Sequence, residues 1–152
     1  MHNKETCFCC LVVGSRSIND YNIIREKLDS IIPKNKYETI LILSGGANGV
    51  DKLAERYAAE RKYLLKVMPA DWSKGKQAGY QRNVEMHKLA ATYPHRGCVA
   101  FWDGESKGTA HSFSLARQNQ TPLRIIFKST KKPAKKKEKN ILKKLALTLY
   151  EC

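Results

Sequence analysis

The chain has 152 residues, 42% of them apolar and 28% charged, a balance that fits one globular domain able to bury a core without staples. No run of about 18 apolar residues occurs, so no membrane span is expected. The opening stretch lacks a small-residue cleavage pattern, and a cytoplasmic protein is the expectation. The formal net charge of +14 is uneven: nine Lys and one Glu between Lys128 and Lys144 give that stretch a net +8. Such a run fits weak, salt-sensitive contact with nucleic acid or a solvated, solubilising tail.

Apolar and amphipathic runs alternate along the chain. "CFCCLVV" (7–13) is short and continuously apolar, as a strand buried on both faces should be. Asn19 or Asp20 can cap a helix whose face carries Tyr21, Ile24, Leu28, Ile31 and Ile32, and Pro33 ends it. "TILIL" (39–43) reads as a second strand. Val50, Leu53, Ala54, Tyr57 and Ala58 keep helical spacing, and "YLLKV" (63–67) is a third strand. An eleven-residue loop, "PADWSKGKQAG" (69–79), precedes a helix from about Tyr80 to Ala91. "CVAFW" (98–102), a helix from about Thr109 to Gln118, and "PLRIIF" (122–127) complete the series.

Strand, loop and helix in repetition predict right-handed crossovers. The expected fold is an α/β Rossmann-like three-layer sandwich over residues 6–127. Its parallel five-stranded sheet has the order 3-2-1-4-5, with helices on both faces. Residues 128–152 read as a Lys-rich linker and a short amphipathic helix, with Ile141, Leu142, Leu145 and Leu149 on one face, able to dock on the body or a partner. The five cysteines (Cys7, Cys9, Cys10, Cys98, Cys152) lack the paired spacing of a metal site, and the four His are scattered. Buried reduced thiols and no metal site are expected.

The unusual residues fall after strands, where open parallel sheets bind ligands. They lie in "GSR" (14–16), "SGGANGVD" (44–51), "PADWSKGKQAGYQRN" (69–83) and "WDGESKGT" (102–109). The opposite connections are plain. Gly14, Gly45, Gly46 and Gly49 would let an anion approach the backbone and the free N–H groups of a helix start, and Gly108 and Thr109 would repeat the arrangement. Ser15, Ser44 and Thr109 can donate, and Arg16, Lys76 and Arg82 can neutralise charge. Trp72 and Trp102 offer flat faces for a base. Asp51 would cap a helix or accept from a ribose hydroxyl. Asn83, Asp103 and Gly104 complete the candidate ligand-binding set. No G-x4-G-K-[ST] loop and no clean G-x-G-x-x-G follow the first strand, which weighs against ATPase and dehydrogenase readings.

"VVGSRSIND" (12–20), "LSGGANGVD" (43–51), "ADWSKGKQAGYQRNVEM" (70–86) and "AFWDGESKGTAHS" (100–112) together resemble the YspA-like branch of the SLOG superfamily. That superfamily shares a Rossmann-like domain with DprA/Smf and with LOG-type phosphoribohydrolases. The resemblance implies binding of nucleotides or nucleotide-derived molecules, often as a sensor. LOG-type enzymes use an Arg and a Glu in P-G-G-x-G-T-x-x-E to cleave the N-glycosidic bond of nucleoside 5′-monophosphates. Arg82 matches the Arg and Gly108-Thr109 match the G-T, but the Glu position falls on Ser112. A hydroxyl cannot do a carboxylate's work at neutral pH.

The expected function is therefore binding of a nucleotide or nucleotide-derived small molecule. Hydrolysis, with Arg82, Asp103 and Glu105 as the catalytic candidates, and DprA-like nucleic-acid binding are the alternatives. No resident cofactor is evident; Mg2+ carried in by a nucleotide is the one cation this reading allows. A homodimer is compatible with the apolar helix faces.

Overall fold

The structure, a computed structural model, describes residues 2–130 and residue 144. The remainder of the expected tail, 131–143 and 145–152, lies outside the described residues. The elements are β1 (Cys7–Gly14), α1 (Tyr21–Ile31), β2 (Thr39–Ser44), α2 (Val50–Arg61), β3 (Leu64–Val67), α3 (Ala78–Ala91), β4 (Arg96–Trp102), α4 (Lys107–Gln118) and β5 (Leu123–Phe127). The five strands form one sheet in the order β3-β2-β1-β4-β5, and every neighbouring pair is parallel. This is the Rossmann-like α/β architecture expected from the alternating pattern.

Period-two alternation sorts the central strands into two cores. Cys9, Leu11 and Val13 of β1, with Cys98 and Ala100 of β4, join Met86 and Ala90 of α3 and Ala116 of α4. Cys10 and Val12, with Val99 and Phe101, join Ile24 and Leu28 of α1 and Val50, Ala54 and Tyr57 of α2. Because both faces of β1 are covered, its apolar run is continuous rather than alternating. β3 is an edge strand, and Leu64, Leu65 and Val67 are exposed there. Cys7, Cys9, Cys10 and Cys98 are free and buried, and burial pushes the Cys9 and Cys10 thiols up, away from reactive thiolate.

Local chemistry sets the boundaries. Asp20 caps α1, its side chain accepting from Asn22 N. Lys62 ends α2 in the left-handed region, and Tyr63 N closes the turn on Ala58 O, so the third strand starts at Leu64 rather than at position 63. Ser106 caps α4 through Thr109 N, so that helix starts at Lys107, two residues before the sequence places it. α3 starts at Ala78 and β4 at Arg96, each two residues earlier than the expectation. Among the described residues no helix is long and apolar enough to cross a membrane.

Candidate functional site

The crossovers from β1 and β2 place α1 and α2 on one face, while α3 and α4 cover the other. Strand order reverses between β1 and β4, and a crevice opens above the carboxyl ends of the strands there. A cavity of roughly 420 Å³ occupies it. All four strand-to-helix connections reach its wall: Gly14 and Arg16 after β1, Gly45 and Asp51 after β2, Trp72 and Lys76 after β3, and Asp103 and Gly108 after β4.

One wall is cationic around a single buried carboxylate. Arg82, on the first turns of α3, donates through Nη1 to the carbonyl of Gly45 and through Nε to Oδ1 of Asn83 (2.9 Å). Asp51, on the first turn of α2, is buried, and its Oδ2 accepts from Ala47 N at 3.1 Å. Burial pushes its carboxyl up to about 6, against the opposing pull of the Ala47 N–H and the Arg82 and Arg16 charges. Burial correspondingly lowers the Arg82 guanidinium, against the attraction of Asp51. Arg16 reaches over the Trp72 ring, 5.7 Å from its centroid, and Trp72, 56% exposed, stands at the mouth.

The opposite wall is polar and carries one carboxylate. Asp103 lines the cavity, but its carboxylate organises its own loop: Oδ2 accepts from Ser17 Oγ at 2.7 Å, and Oδ1 accepts from the N–H groups of Glu105 and Ser106. Burial raises this carboxyl, yet those hydrogen bonds outweigh it and the net shift is downward. An acid held ionised is poorly suited to donate a proton. Thr109 and Ser106 exchange a hydroxyl contact at 3.0 Å, and Ser112, buried, completes this side.

Several expected ligand contacts serve the scaffold instead. Ser44 is buried and donates to Asp51 O, and Ser15 is buried and accepts from Asp103 N. Neither is in the cavity wall, nor are Gly46 and Gly104. Gly49 has φ 78°, and a Cβ there would stand 2.5 Å from the carbonyl oxygen of Arg16. The space it leaves is therefore filled by the chain's own backbone, with Val50 N donating to Ser15 O. That corrects the expectation that the glycines of this loop hold space for an anion. Gly45 lines the cavity, but its missing side chain makes room for Arg82. Gly108 lies inside α4, not before it, and a Cβ there would meet open space. Trp102 offers no face to the cavity: its indole N–H donates to Ser106 O and its ring stacks edge-on with Phe113. Of the catalytic candidates, Arg82 and Asp103 line the cavity; Glu105 is exposed outside it.

The wall also contains Ser17, Ala47, Gly79, Tyr80, Ser106 and Met86, none of them singled out by sequence. Ser17, Ala47, Gly79, Tyr80 and Ser106 lie within or beside the quoted loops, so their position was legible; nothing in their chemistry marked them.

A model of the YAcAr family, described as YspA, cpYpsA-related SLOG family, matches residues 10–75. Over that stretch the chain is similar to this SLOG family. The matched stretch runs from β1 through the Trp72 turn and so includes three of the four loops around the cavity. A solved structure of DNA processing protein A from Helicobacter pylori, described as having a unique single-stranded DNA binding mode, is similar to this chain with a TM-score of 0.56. Identity is 19%, and the alignment covers 93% of this chain and 74% of that one. At that identity the likeness shows the fold. No curated protein matches the sequence.

Proposed function

We propose that this Rossmann-like domain binds a nucleotide or nucleotide-derived small molecule in the crevice above β1 and β4. One observation carries this reading: all four strand-to-helix loops line one cavity of roughly 420 Å³, with Arg16, Lys76 and Arg82 on its wall and Trp72 at its mouth. That volume falls in the range of small-molecule sites and suits a single nucleotide. The cations would take the phosphate, Trp72 would stack on the base, and Asp51 or Asn83 would meet the sugar. The family match and the DNA-binding protein of similar fold support a module for nucleotides or nucleic acid; the size of the cavity favours the former.

Mass spectrometry of small molecules that co-purify with the native full chain tests the reading. A phosphate-bearing compound released from the wild type, and absent from Arg16→Ala/Lys76→Ala, is expected. A clean spectrum from both, with no binding on adding nucleotides, counts against it.

Hydrolysis of the N-glycosidic bond is a second reading, and one observation favours it. Asp51 is a cavity carboxyl held at about 6 beside Arg82, in the range of a working general acid. Chromatography for free base, after incubation with a panel of nucleoside 5′-monophosphates, decides between binding alone and turnover.

A further inference from the structure

The outer edge of β3 is open. β3 ends the sheet, and among the described residues its main packing comes from β2 and α2. Met68 N donates to Ser44 O at 2.8 Å, on the β2 side. Backbone groups alternate in direction along a strand, so Lys66 shares that side while Leu65 and Val67 turn their N–H and C=O groups outward. Among the described residues, none of these outward groups has a backbone partner beyond the sheet.

The side chains of this edge are unusual as well. Five large hydrophobic side chains are exposed among the described residues. Trp72 and Tyr80 line the crevice described above; the other three, Leu64, Leu65 and Val67, all belong to β3. They lie on both faces of the sheet. Leu64 and Lys66 pair with Leu41 and Leu43, which face the α3/α4 core. Leu65 pairs with Ile42, which faces the α1/α2 core, and Val67 shares its side by period two. Edge strands are ordinarily shielded by several charges, a bulge or Pro. Here Lys66 is the single charge, and the strand has no Pro.

We propose that β3 accepts, as a sixth strand, an extended segment of a separate partner protein in which apolar and acidic residues alternate. The outward backbone groups supply the ladder, and the side chains choose the sequence. On the α1/α2 face, Leu65 and Val67 match apolar residues. On the other face, Lys66 matches a carboxylate across from it. Lys62, exposed at the end of α2, adds a second cation, and no acidic residue occurs between positions 61 and 70.

Charge also decides against a second copy. Two chains of net +14 would bring this basic edge against its duplicate, whereas an acidic strand is attracted to it. Lys66 thus favours a foreign strand and discourages self-pairing.

Amide exchange resolved by NMR on the full chain tests this. The probe is a synthetic peptide of about eight residues in which Glu alternates with Val. Saturable binding below about 1 mM is expected. Exchange at Leu65 and Val67 should slow by about tenfold or more, while Lys66 and Met68, whose N–H groups face β2, change little. A peptide with Lys in place of Glu should bind about threefold or more weakly. Leu65→Pro removes one outward N–H and leaves the β2 ladder intact, and should weaken binding by about fivefold or more. Lys66→Glu changes an exposed side chain and should reverse the preference between the two peptides. Failure of the Glu/Val peptide to saturate, or an unchanged preference in Lys66→Glu, overturns the proposal. So does slow exchange at Leu65 and Val67 in the chain alone. Protection lost on dilution would make the occupant a second copy; protection independent of concentration would make it the chain's own tail.

Discussion

Arg82 occupies the space that a side chain at position 45 would need. A Cβ on Gly45 would stand 2.6 Å from Arg82 Nη1 and 2.9 Å from Asp51 Oδ2, and the guanidinium donates to the Gly45 carbonyl. The glycine is thus the seat of the cation, and the two positions act as a unit. Gly45→Ala should push the flexible end of Arg82 aside at small cost to folding. Losing one charge-assisted contact weakens phosphate binding by about tenfold or more. Calorimetric titration together with a thermal melt separates the two effects.

Two other glycines should respond in opposite ways. Gly49 sits at φ 78° against the Arg16 backbone, which cannot yield as a side chain can. Gly49→Ala should cost about 3 kcal/mol or more. Gly108 is helical, and a Cβ there meets nothing within 4 Å. Gly108→Ala should leave stability unchanged or raise it by up to about 0.5 kcal/mol, while narrowing the cavity and lowering affinity. Urea titrations measure the first two outcomes, and ligand titration the third.

His87 and Asp51 pull the pH profile in opposite directions. His87 is fully buried on α3 without a hydrogen-bond partner for either ring nitrogen, and burial, with the His111 charge second, lowers it from 6.5 to about 4. A depressed base contributes stability above its unfolded value that is lost as pH falls from 6.5 through 4, on the order of 3 kcal/mol in all. His87→Leu should flatten that acid-side loss, and at neutral pH should stabilise by about 1 kcal/mol, because the unpaired nitrogens are removed. Asp51, raised from 3.8 to about 6, contributes stability present below 3.8 and lost as pH rises through 6. Relative to wild type, Asp51→Asn should gain on the order of 3 kcal/mol between those values. Thermal melts of the two variants across this pH window check both signs.

The two tryptophans should report differently on the cavity. Trp72 stands exposed at the mouth, and Trp102 is half-buried against Phe113 with its indole N–H engaged. Nucleotide binding should quench the fluorescence of the wild type, and Trp72→Phe should abolish the response. A quench that survives in that variant would assign it to Trp102 and contradict stacking at the mouth.

Much of this was legible because each level of the sequence agreed with the next. The continuous apolar runs of β1 and β2 mark strands buried on both faces, and the special residues after the strands mark the edge where the loops meet. The sequence misleads where one residue type has two uses. Glycine leaves space, but only coordinates say whether a ligand or the protein's own backbone fills it: at Gly49 it is Arg16, at Gly45 it is Arg82. Trp72 and Trp102 look equivalent in the sequence; one stands at the mouth and the other packs on a helix. Asp103 reads as an acid/base candidate, yet three donors from Ser17, Glu105 and Ser106 hold it ionised in its own loop. Tyr80 and Ser17 lie within the quoted segments, but nothing in their chemistry marks them, and helix phase and loop path bring them to the wall.

The most direct test of the central claim is a calorimetric titration of nucleoside 5′-monophosphates into the full chain and into Arg16→Ala/Lys76→Ala. Saturable binding of at least one nucleotide at one site per chain, weakened about tenfold or more by the double substitution, is the expected result. Failure of every nucleotide to saturate, or equal affinity in the two proteins, would contradict a nucleotide site in this crevice.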